Sequence, residues 1–259
     1  MGLQERYVLK LIEDDKRIDG RKMDEYRKIE VIKTPTEKPE GSARVKMGNT
    51  DVIVGVKMDV GEPFSDRPDE GILMVNSEFS PLASPGFELG PPKEDSIELA
   101  RVVDRGIRES GTVDVKKLCI KEGEKVWMVF VDINILNHDG NLIDASGLAA
   151  ITALSIAKLP EYADEKVDYE KKTNKSVPLK YKPIPVTVCK LVDSRKVGKL
   201  IIDPSLEEEA AVTSRLTVTT RDDGQVCSLQ KGGDTMTIEE VQKAIELSLK
   251  KGEELRKLV

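Results

Sequence analysis

Hydrophobic and polar residues recur along the chain with two different periods, and these periods predict a mixture of helices and strands. The clearest helical pattern runs from Glu94 to Ser110. Arg101, Arg105 and Arg108 are spaced i, i+4 and i+7, so a helix places all three on one face. The opposite face is apolar and is expected to pack on a core. It consists of Leu99, Ala100, Val102, Val103 and Ile107.

Three further segments have helical patterns. The N-terminal MGLQERYVLKLIEDDKR is amphipathic, DASGLAAITALSIAKLP is almost free of charge and is expected to be buried, and TIEEVQKAIELSLKKGEEL closes the sequence. A Ser, Thr or Asp followed three residues later by Glu is the capping-box pattern of a helix start. It predicts helix starts at Asp95, with Glu98, and at Thr237, with Glu240.

The other apolar segments are rich in β-branched residues and predict strands. Lys28 to Lys33 is one, and Gly48-Asn49 separates two more in a hairpin. Later strands are expected in GILMVNSEF, VDVKKLCI, KVWMVFVDINILN, PVTVCKLV, GKLIIDPS and SRLTVTTRDDGQVCSLQ. Strands followed by a closing helix in each half predict an α+β fold of two related sheet-and-helix modules.

The chain length of 259 residues fits two modules of this kind. Between Glu161 and Pro183 the sequence is highly charged and shows no clear period, so we expect the connection here. The predicted division is residues 1–165 for the first module with its N-terminal helix, 166–183 for the linker and 184–259 for the second module.

Composition excludes some classes of protein. The formal net charge of −6 argues against a protein that coats nucleic acid with its whole surface, so any RNA or DNA contact must be local. Cys119, Cys189 and Cys227 lie far apart in apolar segments and are interpreted as small buried hydrophobes, which predicts a reducing, cytoplasmic location. No signal peptide or membrane-spanning segment is predicted.

Catalytic patterns are few. His138 lies in an NHDG turn and is interpreted as a surface residue, and no phosphate-binding Gly-Lys loop or paired Cys motif occurs. The acidic run Asp203 to Glu209 is expected to be a solvated loop, with Mg²⁺ binding as the alternative. No cofactor or metal is predicted.

Two interpretations of the arginine face remain open at this point. Glu98 with Arg101, and Asp104 with Arg108, have the i,i+3 and i,i+4 spacing of ordinary solvated ion pairs. Arginine is also the side chain best suited to bidentate phosphate contacts, so a polyanion partner is the other interpretation.

An ordered series of segments resembles a known family. RIDGRKMDEYRKIEV, GNTDVIVGVK, ELARVVDRGIRES, WMVFVDINILNHDGNLIDAS and LIIDPSLEEEAAVTSRLTVTT together resemble RNase PH-like proteins, specifically the non-catalytic RNase PH-like subunits of the archaeal exosome. The resemblance covers nearly the whole chain. It implies a hexameric ring of three heterodimers with a catalytic RNase PH-like partner, a channel for single-stranded RNA, and cap proteins with S1 domains on one face. The catalytic partner would degrade RNA from its 3′ end by phosphorolysis.

Departures from the catalytic pattern imply that this chain does not cut RNA. In the matching DASGLAAIT stretch Ser146 is retained, but Gly147 stands where catalytic members carry a phosphate-binding arginine. Ser214 stands where they carry an aspartate that assists proton transfer, and a serine hydroxyl is not an acid at neutral pH. The resemblance also implies that Arg101 and Arg105 border the RNA path, whereas Arg108 matches less closely.

Three hypotheses follow. The first is a non-catalytic ring subunit that supports the partner's active site and binds RNA through Arg101 and Arg105. The second is a phosphorolytic exoribonuclease active on its own, with Asp203 or the Glu207 to Glu209 group in place of the missing aspartate. The third is a purely structural scaffold without RNA contact.

Overall fold

Two sheets and a long helix between them form the centre of the molecule. A computed structural model describes residues 2–192 and 197–259. The first sheet has the strand order β1-β2-β3-β6-β4, with β5 paired to β6, and only β4 runs parallel to its neighbour. Its strands are β1 (Ile29–Lys33), β2 (Gly41–Met47), β3 (Thr50–Gly61), β4 (Ile72–Phe79), β5 (Cys119–Lys121) and β6 (Lys125–Asn137).

The second sheet is antiparallel and lies in the C-terminal half, with the order β10-β9-β11-β12. A separate two-stranded hairpin connects the halves. The hairpin strands are β7 (Lys158–Ala163) and β8 (Lys166–Ser176), and the strands of the second sheet are β9 (Ile184–Val192), β10 (Gly198–Ile202), β11 (Ser214–Thr220) and β12 (Val226–Gly233).

The helices occupy the faces of the two sheets and the space between them. They are α1 (Leu3–Glu13), α2 (Glu94–Glu109), α3 (Leu142–Ile156), α4 (Leu206–Glu209) and α5 (Ile238–Arg256). Every residue of α3 from Asp144 to Leu154 is buried, as its lack of charge predicts, because it packs on the first sheet and on β9 at once. One hydrophobic core therefore runs through both halves. No helix in the described part of the chain is long and apolar enough to cross a membrane.

The N-terminal helix is confirmed, but its packing differs from the predicted grouping with the first module. Val8, Leu9 and Ile12 of α1 pack on Cys189 and other residues of the second sheet, on the face of that sheet that α3 leaves uncovered. Both faces of β9 are covered as a result, which explains why its residues read as a continuous apolar run. Of the three cysteines, Cys189 alone is fully buried, while the other two are half-buried, and all three are free thiols.

One of the two predicted helix starts is wrong. The N-cap of α2 is Lys93, which makes no side-chain capping bond, so Asp95 lies inside the first turn and forms no capping box with Glu98. The prediction for α5 is confirmed, because Thr237 Oγ1 accepts a hydrogen bond from the Glu240 N–H at 3.2 Å and Glu240 Oε2 accepts one from the Thr237 N–H at 2.8 Å.

The segment predicted as a linker, residues 166–183, contains strand β8 instead of irregular chain over Lys166–Ser176. Most of its side chains are exposed on both faces of the hairpin. A strand with two solvated faces has no alternation of apolar and polar residues, and this explains why its sequence lacks a period. The boundaries at 165 and 184 stay a prediction.

Candidate nucleic-acid interface

Helix α2 presents its arginine row outward, as its amphipathic pattern predicts. Most of its apolar residues are buried, and the helix packs on β4 and α3; the buried ones are Leu99, Val102, Val103 and Ile107. Gly106 brings the helix close to the second sheet, since a Cβ at this position would lie 3.2 Å from Thr219 Cγ2. Helix α2 thus packs on both sheets, which holds its backbone in place beneath the side chains of its outer face.

Within the described residues, Arg101 and Arg105 have no acidic partner. Arg101 is exposed and forms no hydrogen bond or ion pair with any residue in the described parts of the chain. Arg105 is also exposed and makes one neutral contact, in which its Nη1 donates to Gln230 Oε1 at 3.2 Å. Both positive charges are therefore available to an anionic ligand.

Arg108 differs from the other two arginines. Its Nε and Nη2 donate to the two carboxylate oxygens of Asp104 at 3.0 and 2.7 Å, and Nη2 also donates to the Leu73 carbonyl at 2.9 Å. The hydrogen bond with Asp104 raises the pKa of Arg108. The predicted i,i+4 pair is thus confirmed, and it neutralises this arginine within its own helix.

The other local pair does not form. Glu98 Oε2 accepts a hydrogen bond from Nη2 of Arg215, a residue of β11, and the two side chains form an ion pair. Glu98 Oε1 accepts from Gln230 Nε2 at 3.5 Å. The carboxylate is therefore directed towards the second sheet and away from Arg101.

A cleft of about 460 Å³ opens beside the first turns of α2. Its walls include Glu98, Arg215, Ser214 and His138. The prediction of a surface position for His138 is wrong in part, because its ring stacks on Phe87 with centroids 5.5 Å apart and is half-buried. Burial lowers the pKa of His138, which favours the neutral imidazole.

Position 147 has no room for a side chain. A Cβ on Gly147 would lie 2.2 Å from Pro185 Cγ and 2.6 Å from Pro185 Cδ, far inside van der Waals contact. The adjacent Ser146 is fully buried, and its Oγ has no hydrogen-bond partner among the residues that are described. An arginine at 147 would therefore require α3 and β9 to separate.

The beginning of α3 is already occupied by a carboxylate of this chain. The backbone N–H of Asn141, the N-cap residue, donates to Glu209 Oε1 at 2.6 Å. Helix N-termini attract anions, and here Glu209 supplies the negative charge. Burial raises the pKa of Glu209. A phosphate at this helix end would meet that side chain.

The acidic run 203–209 is not the solvated loop that the sequence predicts. The Asp203 side chain is fully buried and accepts hydrogen bonds from Arg21 Nη1 at 2.9 Å, Arg27 Nε and Nη2 at 2.9 and 2.7 Å, and Asn141 Nδ2 at 2.9 Å. Arg17 Nη2 donates to the Asp203 carbonyl at 2.8 Å. Three guanidiniums from the N-terminal segment thus converge on one residue.

Glu208 is buried in the same network. Arg17 Nε and Nη2 donate to its two carboxylate oxygens at 3.0 and 2.5 Å, and the side chains of both residues are almost inaccessible. Glu208 also completes a capping box with Ser205 at the start of α4. In residues 2–192 and 197–259 no group of three or more metal-binding side chains is found.

Comparison with known proteins agrees with this architecture. The 3′ exoribonuclease family, domain 1 (RNase PH) matches residues 25–160, and domain 2 of the same family matches residues 182–251. Exosome complex component Rrp42 of Thermococcus gammatolerans is 49% identical, covering 100% of this chain and 94% of that protein. Its counterpart from Archaeoglobus fulgidus is 53% identical over 90% of this chain and 86% of the relative.

A solved structure is similar to this chain over nearly its whole length. A chain of the Archaeoglobus fulgidus exosome with RNA bound to the active site is 48% identical and superposes with a TM-score of 0.89. The superposition covers 98% of this chain and 97% of that one.

Proposed function

Because the chain belongs to the RNase PH family of 3′ exoribonucleases, we propose that it serves such an RNA-degrading assembly as a non-catalytic subunit. It contributes a rigid, positively charged helix face that holds single-stranded RNA while a catalytic partner cuts it by phosphorolysis. The partner is an RNase PH-like subunit that alternates with this chain in a hexameric ring of three heterodimers. Cap proteins with S1 domains attach to one face, and the assembly works in the cytoplasm.

The observation that carries this proposal is the absence of an acidic partner for Arg101 and Arg105 within the described parts of the chain. The two residues are one helical turn apart, about 6 Å along the axis of α2. Guanidiniums in this arrangement neutralise backbone phosphates without contacting base edges, so binding tolerates any sequence. Fixed contacts of this kind position the RNA end for in-line attack in the partner's active site.

The proposal that the chain itself is inactive rests on three features. Gly147 excludes the phosphate-binding arginine sterically, because Pro185 fills the space that a side chain would need. Glu209 presents a carboxylate to the start of α3, where a phosphate would bind. Ser214 is buried and supplies a hydroxyl in place of an acid.

Two of the acids proposed to replace the missing aspartate, Asp203 and Glu208, are engaged elsewhere. Both carboxylate oxygens of Asp203 accept hydrogen bonds from arginines, and Glu208 is held by Arg17. Neither side chain reaches a surface from which it could protonate a leaving group. Incubating the purified chain with RNA and inorganic phosphate tests this point, and release of nucleoside diphosphates that is lost in an Asp203→Asn variant would overturn it.

The RNA-binding role is tested in the assembled ring. Replacing Arg101 and Arg105 together by alanine should weaken binding of a labelled oligoadenylate in phosphate-free buffer. It should also reduce the slope of log K against log salt by about 1.4, since each phosphate contact to a single strand contributes about 0.7. Arg6→Ala/Lys10→Ala is the matched control, because it removes two exposed charges with the same spacing from α1. Unchanged affinity and slope in the α2 variant, with an intact ring, would leave only the scaffold role.

A further inference from the structure

Helix α2 carries an acid on the same face as its free arginines. Glu98 precedes Arg101 by three residues and Arg105 by seven, so the helix geometry places all three side chains in one stripe. A carboxylate in this position opposes the binding of a polyanion in two ways. It can pair with Arg101 and neutralise it, and it repels the phosphates that approach Arg105.

A residue of the second sheet binds the Glu98 carboxylate and so keeps it away from Arg101. Arg215 reaches from β11 to the Glu98 carboxylate, and the two form an ion pair with the side chains 39% and 33% exposed. Gly232 faces Arg215 on the neighbouring strand β12, where a Cβ would lie 3.1 Å from Arg215 Nε. The bare backbone of this glycine leaves the space in which the guanidinium crosses β12 towards α2.

Gln230 completes the arrangement with a neutral contact. Its amide nitrogen donates to Glu98 Oε1 at 3.5 Å, and its amide oxygen accepts from Arg105 Nη1 at 3.2 Å. An amide in this place orients the Arg105 guanidinium without cancelling its charge, whereas a carboxylate would form an ion pair with it. Both oxygens of Glu98 are thus occupied by residues of the second sheet.

We propose that Arg215 is a positioning residue for RNA binding, which occupies the carboxylate of Glu98 and so keeps Arg101 and Arg105 free for RNA phosphates. This inference rests on the proposed function, because it concerns the same helix face. Arg215 acts through Glu98 and not by contact with RNA. It follows that loss of Arg215 harms RNA binding only while Glu98 is negatively charged.

The test is a double-mutant cycle in the assembled ring, with a labelled oligoadenylate in phosphate-free buffer. Arg215→Gln releases Glu98 to pair with Arg101, and we expect binding to weaken by about two- to fivefold, the range of an exposed ion pair. The salt slope should fall by about 0.7, as for the loss of one phosphate contact. Glu98→Gln in the same protein should restore both the affinity and the slope.

Arg221→Gln is the matched control. Arg221 also belongs to the second sheet region and forms an ion pair, but its acid is Asp223 in the adjacent turn and not a residue of α2. This variant should keep wild-type affinity for RNA. The melting temperature of each ring distinguishes a change in binding from a loss of folded protein.

Two results would overturn the inference. Full RNA affinity in Arg215→Gln would mean that Glu98 does not compete for the arginines, and failure of Glu98→Gln to rescue that variant would mean that Arg215 contacts RNA directly. Neither result affects the proposed RNA-binding role of Arg101 and Arg105, which fails if the Arg101→Ala/Arg105→Ala ring binds RNA as the wild type does.

Discussion

Replacing Gly147 by alanine should destabilise the protein, although alanine is the better helix former by about 1 kcal/mol. The added Cβ would lie 2.2 Å from Pro185 Cγ, whereas carbon atoms in contact are normally about 3.5–4.0 Å apart. Neither α3 nor Pro185 can move away easily, because α3 is buried along this stretch and Pro185 is a paired residue of β9. Overpacking typically costs about 1–3 kcal/mol, and a contact this short belongs at the upper end.

The expected net loss is therefore about 1–2 kcal/mol, which lowers the melting temperature by roughly 2–8 °C for a chain of this size. Scanning calorimetry measures it. Gly86→Ala is the control, since the nearest atom to a Cβ there is 3.9 Å away and no loss is expected. Pro185→Ala should relieve part of the damage when combined with Gly147→Ala. A Gly147→Ala variant as stable as the wild type would refute the argument that Pro185 leaves no room for a side chain at position 147.

Two further predictions concern buried charge. Arg17→Met leaves the buried Glu208 carboxylate without its ion-pair partner, so the free energy of unfolding measured in urea should fall by about 3–5 kcal/mol. An Arg17→Met/Glu208→Leu double variant should recover much of this loss. Equal losses in both variants would contradict the ion-pair argument. Burial raises the pKa of Asp144 to about 6, despite the hydrogen bond that Tyr26 donates at 2.7 Å. The folded chain then binds this proton more tightly than the unfolded chain, so the contribution of Asp144 to stability should fall by on the order of 3 kcal/mol as the pH rises from below the unfolded pKa of about 4 to above 6. Asp144→Asn should abolish that part of the pH dependence, and an unaltered profile would contradict it.

The sequence predicts a helix or strand well when that element exposes one face to solvent or is buried on all sides. The charge-free stretch of α3 predicts burial because a helix apolar on all sides must be covered on all sides. The Gly48-Asn49 turn predicts the β2–β3 hairpin because its residues tolerate the left-handed backbone, and Gly48 has φ of 60°. Local chemistry alone determines both features.

Features that depend on distant partners are not predictable in this way. The run 203–209 has the composition of a solvated loop, yet Asp203 and Glu208 are buried by arginines from residues 17–27, more than 170 positions earlier. The N-terminal segment gives no sign of this either, because arginines in an irregular stretch are usually exposed. Only the fold brings the two segments together, and the same is true of the packing of α1 on the second sheet.

The arginine row shows why this limit matters for function. By periodicity Arg101, Arg105 and Arg108 are equivalent, and each has an acid within helical reach. In the folded protein Arg108 keeps its local acid, whereas the acid beside Arg101 is taken by Arg215 from another element. Whether a charge on a helix face is available to a ligand thus depends on which partner its neighbouring acid selects. A pair within the helix contributes only about 0.3–0.5 kcal/mol, so a cross-sheet guanidinium can displace it at little cost. When an acid on a helix face pairs with an arginine of another element, the neighbouring charges of the helix become available to a ligand, and little free energy of folding is lost.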